Sequence, residues 1–344
     1  MNIVVLAGGT STERDVSILT STKVCESLRR NGHNANMIDV FLGTDAYESA
    51  KEFFMADNDL EKLGERLSEE TKNVAKLAKE REKSFKSFFG PNVLEYCRAS
   101  DIVFMGLHGA NGEDGKIQAA FDLLGIKYTG TGYLSSAISM DKELTKKVLM
   151  SEGIPMPKGV CLKKGHKIEY VPLPCVVKPC CGGSSVGVYI ANTEDEFEKA
   201  VNEAFVYEDN ILVEEYVKGR EFSVAVVDGS ALPVVEIIPH DGFYDYKNKY
   251  KDGASDHICP ADIPDKLADK MKRWAEKACE IAGVTPYGRV DELVNENGDI
   301  FCLEINTLPG MTPNSLIPLE AAAKGISYDQ LTQQLIDLSL KKYE

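Results

Sequence analysis

Asp291, Glu304 and Asn306 are the side chains whose types and spacing best fit chemistry. In Gly288-Arg289-Val290-Asp291, an extended chain puts Arg289 and Asp291 on one face, because side chains alternate along a strand. In Ile300-Phe301-Cys302-Leu303-Glu304-Ile305-Asn306 the same alternation puts Glu304 and Asn306 on one face and Phe301, Leu303 and Ile305 on the other. Two such strands side by side would gather three oxygen donors. A hard set of this kind suits Mg²⁺, which binds through one or two carboxylates and completes its shell with water or phosphate oxygens. The alternative is a hairpin with a solvated polar face. It fits less well with the loop Thr307-Leu308-Pro309-Gly310-Met311 that follows immediately.

Two further constellations carry possible chemistry. In Val177-Lys178-Pro179-Cys180-Cys181-Gly182-Gly183-Ser184-Ser185-Val186-Gly187 a lysine ends a buried strand and a glycine-serine loop follows. Flexible backbone donors, two hydroxyls and an ammonium make a phosphate cradle. A hairpin with a polar turn is the plainer reading. The loop lacks the Gly-Lys-Ser/Thr of a Walker sequence, and a strand follows it. In Gly8-Gly9-Thr10-Ser11-Thr12-Glu13-Arg14 glycines lead from a strand to a helix N-terminus, a place that favours anions. Glu13 would repel a phosphate there and suit a substrate ammonium. It could equally be a helix-capping carboxylate. The turn is not GxGxxG, which argues against a dinucleotide. Cys180 and Cys181 read as loop residues rather than nucleophiles, in a stretch open enough for thiol reagents, with Lys178 able to lower a thiol pKa.

The elements that must position these groups follow from periodicity. Residues 2–7 predict a buried strand. Ile18, Thr22, Cys25 and Leu28 at helical spacing, stopped by Asn31-Gly32, predict a helix, and 37–40 and 101–105 predict further strands. Strand, glycine loop, helix, strand opens a doubly wound parallel sheet. A crossover helix is expected at 116–124. Between these, 45–89 is rich in Lys and Glu, with Leu60, Leu63, Leu67, Val74, Leu77, Phe85 and Phe88 on a helical stripe. It predicts one or two amphipathic helices laid over the first domain, a structural insertion dispensable for chemistry or, alternatively, a partner face. Further on come helices at 140–152 and 194–205 and strands at 159–162, 175–178, 186–190, 211–215, 221–228 and 232–238. Leu267, Met271, Trp274, Ala278 and Ile281 mark a long amphipathic helix. Strands at 288–294 and 299–306 precede a closing helix from 315. Three regions result: 1–130, 131–218 and 219–344.

Composition narrows the function classes. The 344 residues include 39 Lys and Arg against 54 Asp and Glu, a formal charge of −15, which disfavours broad binding of nucleic acid or an anionic membrane. No apolar run approaches the ~18 residues of a transmembrane helix. Nine cysteines, an odd number without CxxC spacing, point to a reduced cytoplasmic protein, and their spacing indicates neither a disulfide framework nor zinc.

Taken in order, these stretches resemble the ATP-grasp ligases, and within them the D-alanine–D-alanine ligase family. The resemblance rests on GGTSTERDVS (8–17), LHGANGEDG (107–115), SMDKELTK (139–146), VKPCCGGSSVG (177–187), VEEYVKGREFSVAV (213–226), FYDYKNKY (243–250), GRVD (288–291) and LEINTLPGMTPNS (303–315). It spans nearly the whole chain. The 45–89 stretch and Cys180-Cys181-Gly182, where a more polar run is usual, depart from the family pattern.

The resemblance implies an ATP-grasp fold, an N-terminal parallel-sheet domain followed by two α+β lobes that hold ATP. Lys142, Lys178, Ser184, Ser185 and Lys249 would contact phosphates. Glu214, Glu215, Val217 and Phe243 would line the adenine pocket, with a lysine more usual at Glu215, and Glu221 would hold the ribose. Asp291, Glu304 and Asn306 would carry two Mg²⁺ ions, or Mn²⁺. One D-alanine carboxylate would attack the γ-phosphorus, and the amine of a second would displace phosphate, giving the dipeptide for peptidoglycan. Glu13 would pair with the first ammonium beside His108, for which a purely structural role is the alternative. Arg289 and the Gly310 N–H would form the oxyanion site, and Ser315 with the Leu316 N–H would hold the second carboxylate. Residues 240–258 would be a lid whose Tyr250 meets Ser184 and Glu13, and a tyrosine there goes with D-alanine rather than D-lactate as second substrate. A homodimer is implied. Ligases forming D-alanyl-D-lactate or D-alanyl-D-serine, another carboxylate–amine ligase, an inactive nucleotide-binding scaffold and a dinucleotide oxidoreductase are the alternatives.

Overall fold

A computed structural model describes residues 1–84, 86–166, 172–183, 185–240 and 255–344. Ser184, Phe243, Lys249, Tyr250 and most of the expected lid lie outside the described residues. The chain forms two compact units, one of Met1–Leu134 with Thr307–Glu344, the other of Ser135–Asn306.

The first unit opens with β1 (Asn2–Ala7), α1 (Arg14–Arg30) and β2 (Asn34–Asp39). Next come α2 (Ala50–Met55), α3 (Leu60–Glu69), α4 (Thr71–Lys83) and α5 (Val93–Ala99), then β3 (Ile102–Met105) and α6 (Lys116–Leu124). Strands β2, β1 and β3 form a parallel sheet in that order. Ile3, Val4, Val5 and Leu6 are fully buried, the continuous apolar run expected of a strand covered on both faces. Among the described residues the 45–89 stretch holds three helices rather than one or two. Phe53, Phe54 and Val74 enter the same core as Val4, Leu6, Met105 and Phe121. Asp59 breaks the stripe, its side chain accepting from the Lys62 N–H at 3.1 Å as an N-cap.

The second unit contains most of α7 (Tyr133–Met140), then α8 (Lys142–Ser151), β4 (Gly159–Lys163), β5 (Cys175–Pro179), β6 (Tyr189–Ala191), α9 (Glu194–Ala204) and β7 (Asn210–Glu215). It continues with β8 (Gly219–Val227), β9 (Ser230–Ala231), β10 (Val235–Pro239), β11 (Ser255–Ile258), α10 (Asp265–Ala282), β12 (Tyr287–Asn295) and β13 (Ile300–Asn306). One antiparallel sheet runs β4-β7-β5-β6, and a second β11-β10-β8-β12-β13 with β9 beside β8. Met271, Ala275 and Ala278 of α10 pack on Phe222, Val224 and Val290. The helix expected at 140–152 is α8, which Asp141 caps by accepting from Glu143 N at 2.9 Å and Leu144 N at 3.0 Å.

The chain then returns to the first unit as α11 (Leu316–Ala323) and α12 (Tyr328–Leu340). The expected 219–344 region is therefore divided at residue 307. The reason is local: Asp329 accepts from Ser27 Oγ at 2.6 Å and from Arg30 Nη2 at 2.7 Å, which docks α12 on α1.

Candidate active site

In the second unit Lys178, at the end of β5, places Nζ 2.5 Å from Glu214 Oε2, and Lys146 Nζ lies 2.5 Å from Glu214 Oε1. Glu214 is buried. Burial alone would raise its pKa, but Lys178 and Lys146 outweigh it and hold the carboxyl below its usual value. Lys142 opens α8 with Nζ donating to Gly182 O at 2.6 Å and lying 3.2 Å from Glu304 Oε2. Burial disfavours its charge, yet Glu304, Cys181 and Glu208 keep its pKa above the ordinary lysine value. Lys142 thus stays charged in a cleft that Lys178 also lines.

That cleft is lined by Lys142, Lys178, Gly182, Gly183, Ser185, Glu214, Glu215, Val217, Glu221, Asp291 and Glu304, with Val176, Val188, Ile190, Phe222, Leu293 and Leu303 as apolar walls. An elongated ligand with a flat apolar end and an anionic end matches this division. Glu215 sits at the wall, Oε1 accepting from the Lys158 N–H at 2.8 Å. The Cys181 N–H donates to Glu208 at 3.1 and 3.0 Å.

Asp291 faces Glu304 across β12 and β13, and Arg289 faces Asn306. Asn306 Nδ2 donates to Asp291 Oδ2 at 3.0 Å, Ser223 Oγ to Oδ1 at 2.8 Å, and Arg289 closes a fork with Nε and Nη2 at 2.8 and 2.7 Å. The donor set is all oxygen, the kind a hard divalent cation takes, and here Arg289 and Lys142 pair with its carboxylates. The assignment of faces along β13 needs correction. Ile300, Cys302 and Ile305 enter the core, whereas Phe301 and Leu303 do not. Register shifts between Asp291 and Glu292, leaving Leu303 as an extra residue that resets the alternation.

The first unit gathers a second set. Ser11 Oγ donates to His108 O at 2.7 Å and accepts from the Glu13 N–H at 3.2 Å. A side chain on Gly109 would come 2.6 Å from Glu13 Oε2, so the carboxylate lies against that backbone. Glu13 stands at the N-cap of α1 and makes no side-chain cap bond to the helix. His108 is buried, with Nδ1 2.9 Å from Leu308 O and 3.6 Å from Glu113 Oε1, and Nε2 3.1 Å from Thr20 Oγ1. Burial works against a charged ring, but Glu113, then Glu13 and the Leu308 carbonyl, outweigh it and raise its pKa. Gly310 lies beside Ser315, whose Oγ accepts from the Thr312 N–H at 3.0 Å. Ser315 precedes α11, and buried Leu316 begins it.

Lys146, Glu113 and Glu292 escaped the sequence reading. Lys146 stands four residues from Lys142, one helical turn along the same face, a signal that was available. Glu113 lies inside a quoted motif. Glu292 carried no signal, since alternation simply turns it into the core beside Asp291.

The D-ala D-ala ligase N-terminus family matches residues 2–131 and the D-ala D-ala ligase C-terminus family residues 148–337. The chain belongs to the D-alanine–D-alanine ligase family. It is 42% identical to the D-alanine–D-alanine ligase of Pediococcus pentosaceus, with 100% of this chain and 99% of that one covered. It is 41% identical to the ligase of Lacticaseibacillus casei, covering 100% and 97%. Among solved structures, the D-alanine–D-alanine ligase of Bacillus anthracis matches with a TM-score of 0.77 and 30% identity, covering 99% of this chain and 98% of that one. The same ligase complexed with ATP matches at 0.75 and 28%, covering 99% and 98%. The fold is therefore that of the ATP-grasp ligases. Among the described residues no helix is long and apolar enough to cross a membrane.

In this ligase family member the two cysteines of the loop behave differently. Cys180 is buried, and burial first, then neighbouring Cys161, Asp141 and Glu208, pushes its thiol up, not down. Lys178 does not activate it, because that ammonium is committed to Glu214. Cys181 is exposed.

Proposed function

We propose that this protein joins two D-alanine molecules at the expense of ATP, in the cytoplasm, as a homodimer, for peptidoglycan synthesis. The observation that carries the reading is the pairing of Asp291 with Glu304 in one cleft with Lys142 and Lys178. Asp291, Glu304 and Asn306 would hold Mg²⁺. Bound there, the ion supplies charge neutralisation for transferring phosphoryl oxygens.

The chain's own residues do the rest. Lys142, Lys178 and Ser185 bind the phosphates, with Ser184 and Lys249 assigned the same task. Lys146 holds Glu214, and with it Lys178, in place. Glu214, Glu215, Val217 and Phe243 flank the base, and Glu221 takes the ribose hydroxyls. A D-alanine carboxylate oxygen attacks the γ-phosphorus and ADP leaves. The amine of the second D-alanine, having lost a proton, attacks the acyl carbon, and inorganic phosphate departs. Arg289 donates to the developing oxyanion, as would the Gly310 N–H. Glu13 pairs with the first ammonium, and its position against the Gly109 backbone supports that. His108 holds the Leu308 carbonyl, and so the loop that precedes Gly310. Ser315 and the Leu316 N–H bind the second carboxylate at the start of α11.

The test is product identification with ATP and Mg²⁺ against D-alanine, D-serine and D-lactate, for the native chain and Tyr250→Phe. D-alanyl-D-alanine with one ADP and one phosphate per peptide bond is expected, and Tyr250→Phe should gain D-lactate use as pH falls. A native enzyme that prefers D-lactate at every pH refutes the substrate reading.

A further inference from the structure

We propose that Glu143, Cys161 and Cys180 form a binding site for a thiophilic divalent cation of the Zn²⁺ or Cd²⁺ type. These residues are scattered through the sequence and carry no ligand spacing, so only the fold assembles them. One ligand atom from each lies within 4.8 Å of the other two. Cys161 Sγ and Cys180 Sγ stand 3.8 Å apart. That is the separation of two thiolates on one tetrahedral ion with metal–sulfur bonds of about 2.3 Å, roughly 3.8 Å. A disulfide requires about 2.05 Å.

The backbone fixes each ligand. Glu143 lies in the first turn of α8, which Asp141 caps through the Glu143 and Leu144 N–H groups. Cys161 is in β4. Cys180 follows β5, its N–H bonded to Asn210 O at 3.3 Å and its carbonyl to the Lys142 N–H at 3.0 Å. Glu143 and Cys161 are part-exposed, which leaves an entry path and an open coordination position. None of the three lines the cleft described above.

The chemistry balances. Burial, then Glu143, raises the Cys161 thiol to about 11, and burial also raises Cys180, so both are protonated at neutral pH without a cation. Glu143 is ionised, its pKa lowered first by Lys147, whose Nζ lies 2.5 Å from Oε1. Binding breaks two S–H bonds, forms two metal–sulfur bonds and releases two protons to solvent. Two thiolates and a carboxylate around a dication leave one negative charge, which Lys147 offsets. Asp141 and Glu208 add negative potential near the thiols.

The experiment titrates the full chain, freed of metal with a chelator and kept reduced with a phosphine, with Cd²⁺ in excess Mg²⁺, which saturates hard oxygen sites. One Cd²⁺ per chain with a thiolate-to-cadmium ultraviolet band and two protons released is expected. Cys161→Ser and Cys180→Ser should each weaken binding at least about tenfold, Glu143→Gln about tenfold with the band kept, and Cys181→Ser not at all. Wild-type binding in both Cys161→Ser and Cys180→Ser, or loss of the band in Cys181→Ser alone, overturns the proposal. Cadmium NMR of the native chain decides without any variant: a resonance in the two-sulfur range supports the site, and one in the all-oxygen range overturns it.

Discussion

Arg14 Nη1 lies 2.5 Å from Asp39 Oδ2, and neither side chain reaches solvent. The same guanidinium donates from Nη1 to Gly9 O at 2.8 Å, from Nη2 to Leu67 O at 3.2 Å and from Nε to Thr71 Oγ1 at 3.1 Å. One cation therefore ties the glycine turn, the end of β2 and the 45–89 helices together, next to Glu13. Gly8 is required there, because a Cβ would sit 2.0 Å from Asp39 Oδ2 and its φ is +74°.

Asp39→Asn should therefore cost about 3–5 kcal/mol, since it leaves a buried guanidinium without its counter-charge. Urea unfolding measures it. A loss below about 1 kcal/mol would mean that water reaches Arg14.

His108 is held more basic than an ordinary histidine chiefly by Glu113 acting against burial. Its protonated form is favoured by the fold, so its stabilising contribution is complete below about pH 6.5, the free-histidine value, and fades as pH rises through the higher folded value. Glu113→Gln should lower the His108 NMR titration midpoint and flatten stability between pH 6 and 8. An unchanged midpoint contradicts the pairing.

Glu292 is fully buried, and among the described residues neither carboxyl oxygen has a hydrogen-bond partner. Burial, then Asp291, raises its pKa well above the usual value. The fold prefers the proton, so Glu292 adds no ionisation penalty below about pH 4.5 and destabilises progressively as pH rises from there towards its folded value. Glu292→Gln should raise unfolding free energy by about 1–3 kcal/mol at pH 8 and by less at pH 5. Equal effects at both values would rule out an ionisable origin.

Glu304→Gln should leave the melting temperature near native and cut turnover about 10²–10³-fold, because a charge near the transferring group is lost. ADP release with D-alanine and saturating Mg²⁺ checks it. Near-normal turnover would remove Glu304 from the site.

Much of this was legible in the sequence. Helical spacing located α6 and α9, and continuous apolar runs located β1 and β7, each within a residue or two, because each ends at a clear stop. The convergence of Asp291, Glu304 and Asn306 was readable from alternation, but the core face of β13 was not, since one extra residue at Leu303 leaves no compositional trace. Cys180 was misread because its burial depends on β4 and α8, elements far from it in sequence. Lys146 and Glu113 stood in legible stretches, but each matters through a partner, Glu214 or His108, that only tertiary folding supplies.

The division of the chain at residue 307 has a consequence for biosynthesis. The first unit is written in two instalments, and its second, carrying α11 and α12, leaves the ribosome last. The unit with the candidate nucleotide cleft can be complete while α1 still waits for Asp329 and Thr332. A nascent or truncated chain stopping before Tyr328 would therefore present Ser27, Arg30 and Asn31 with their partners unmade. Quality control in the cell would meet that half-built face, and the lesion would register as poor accumulation of the protein before it registered as poor chemistry.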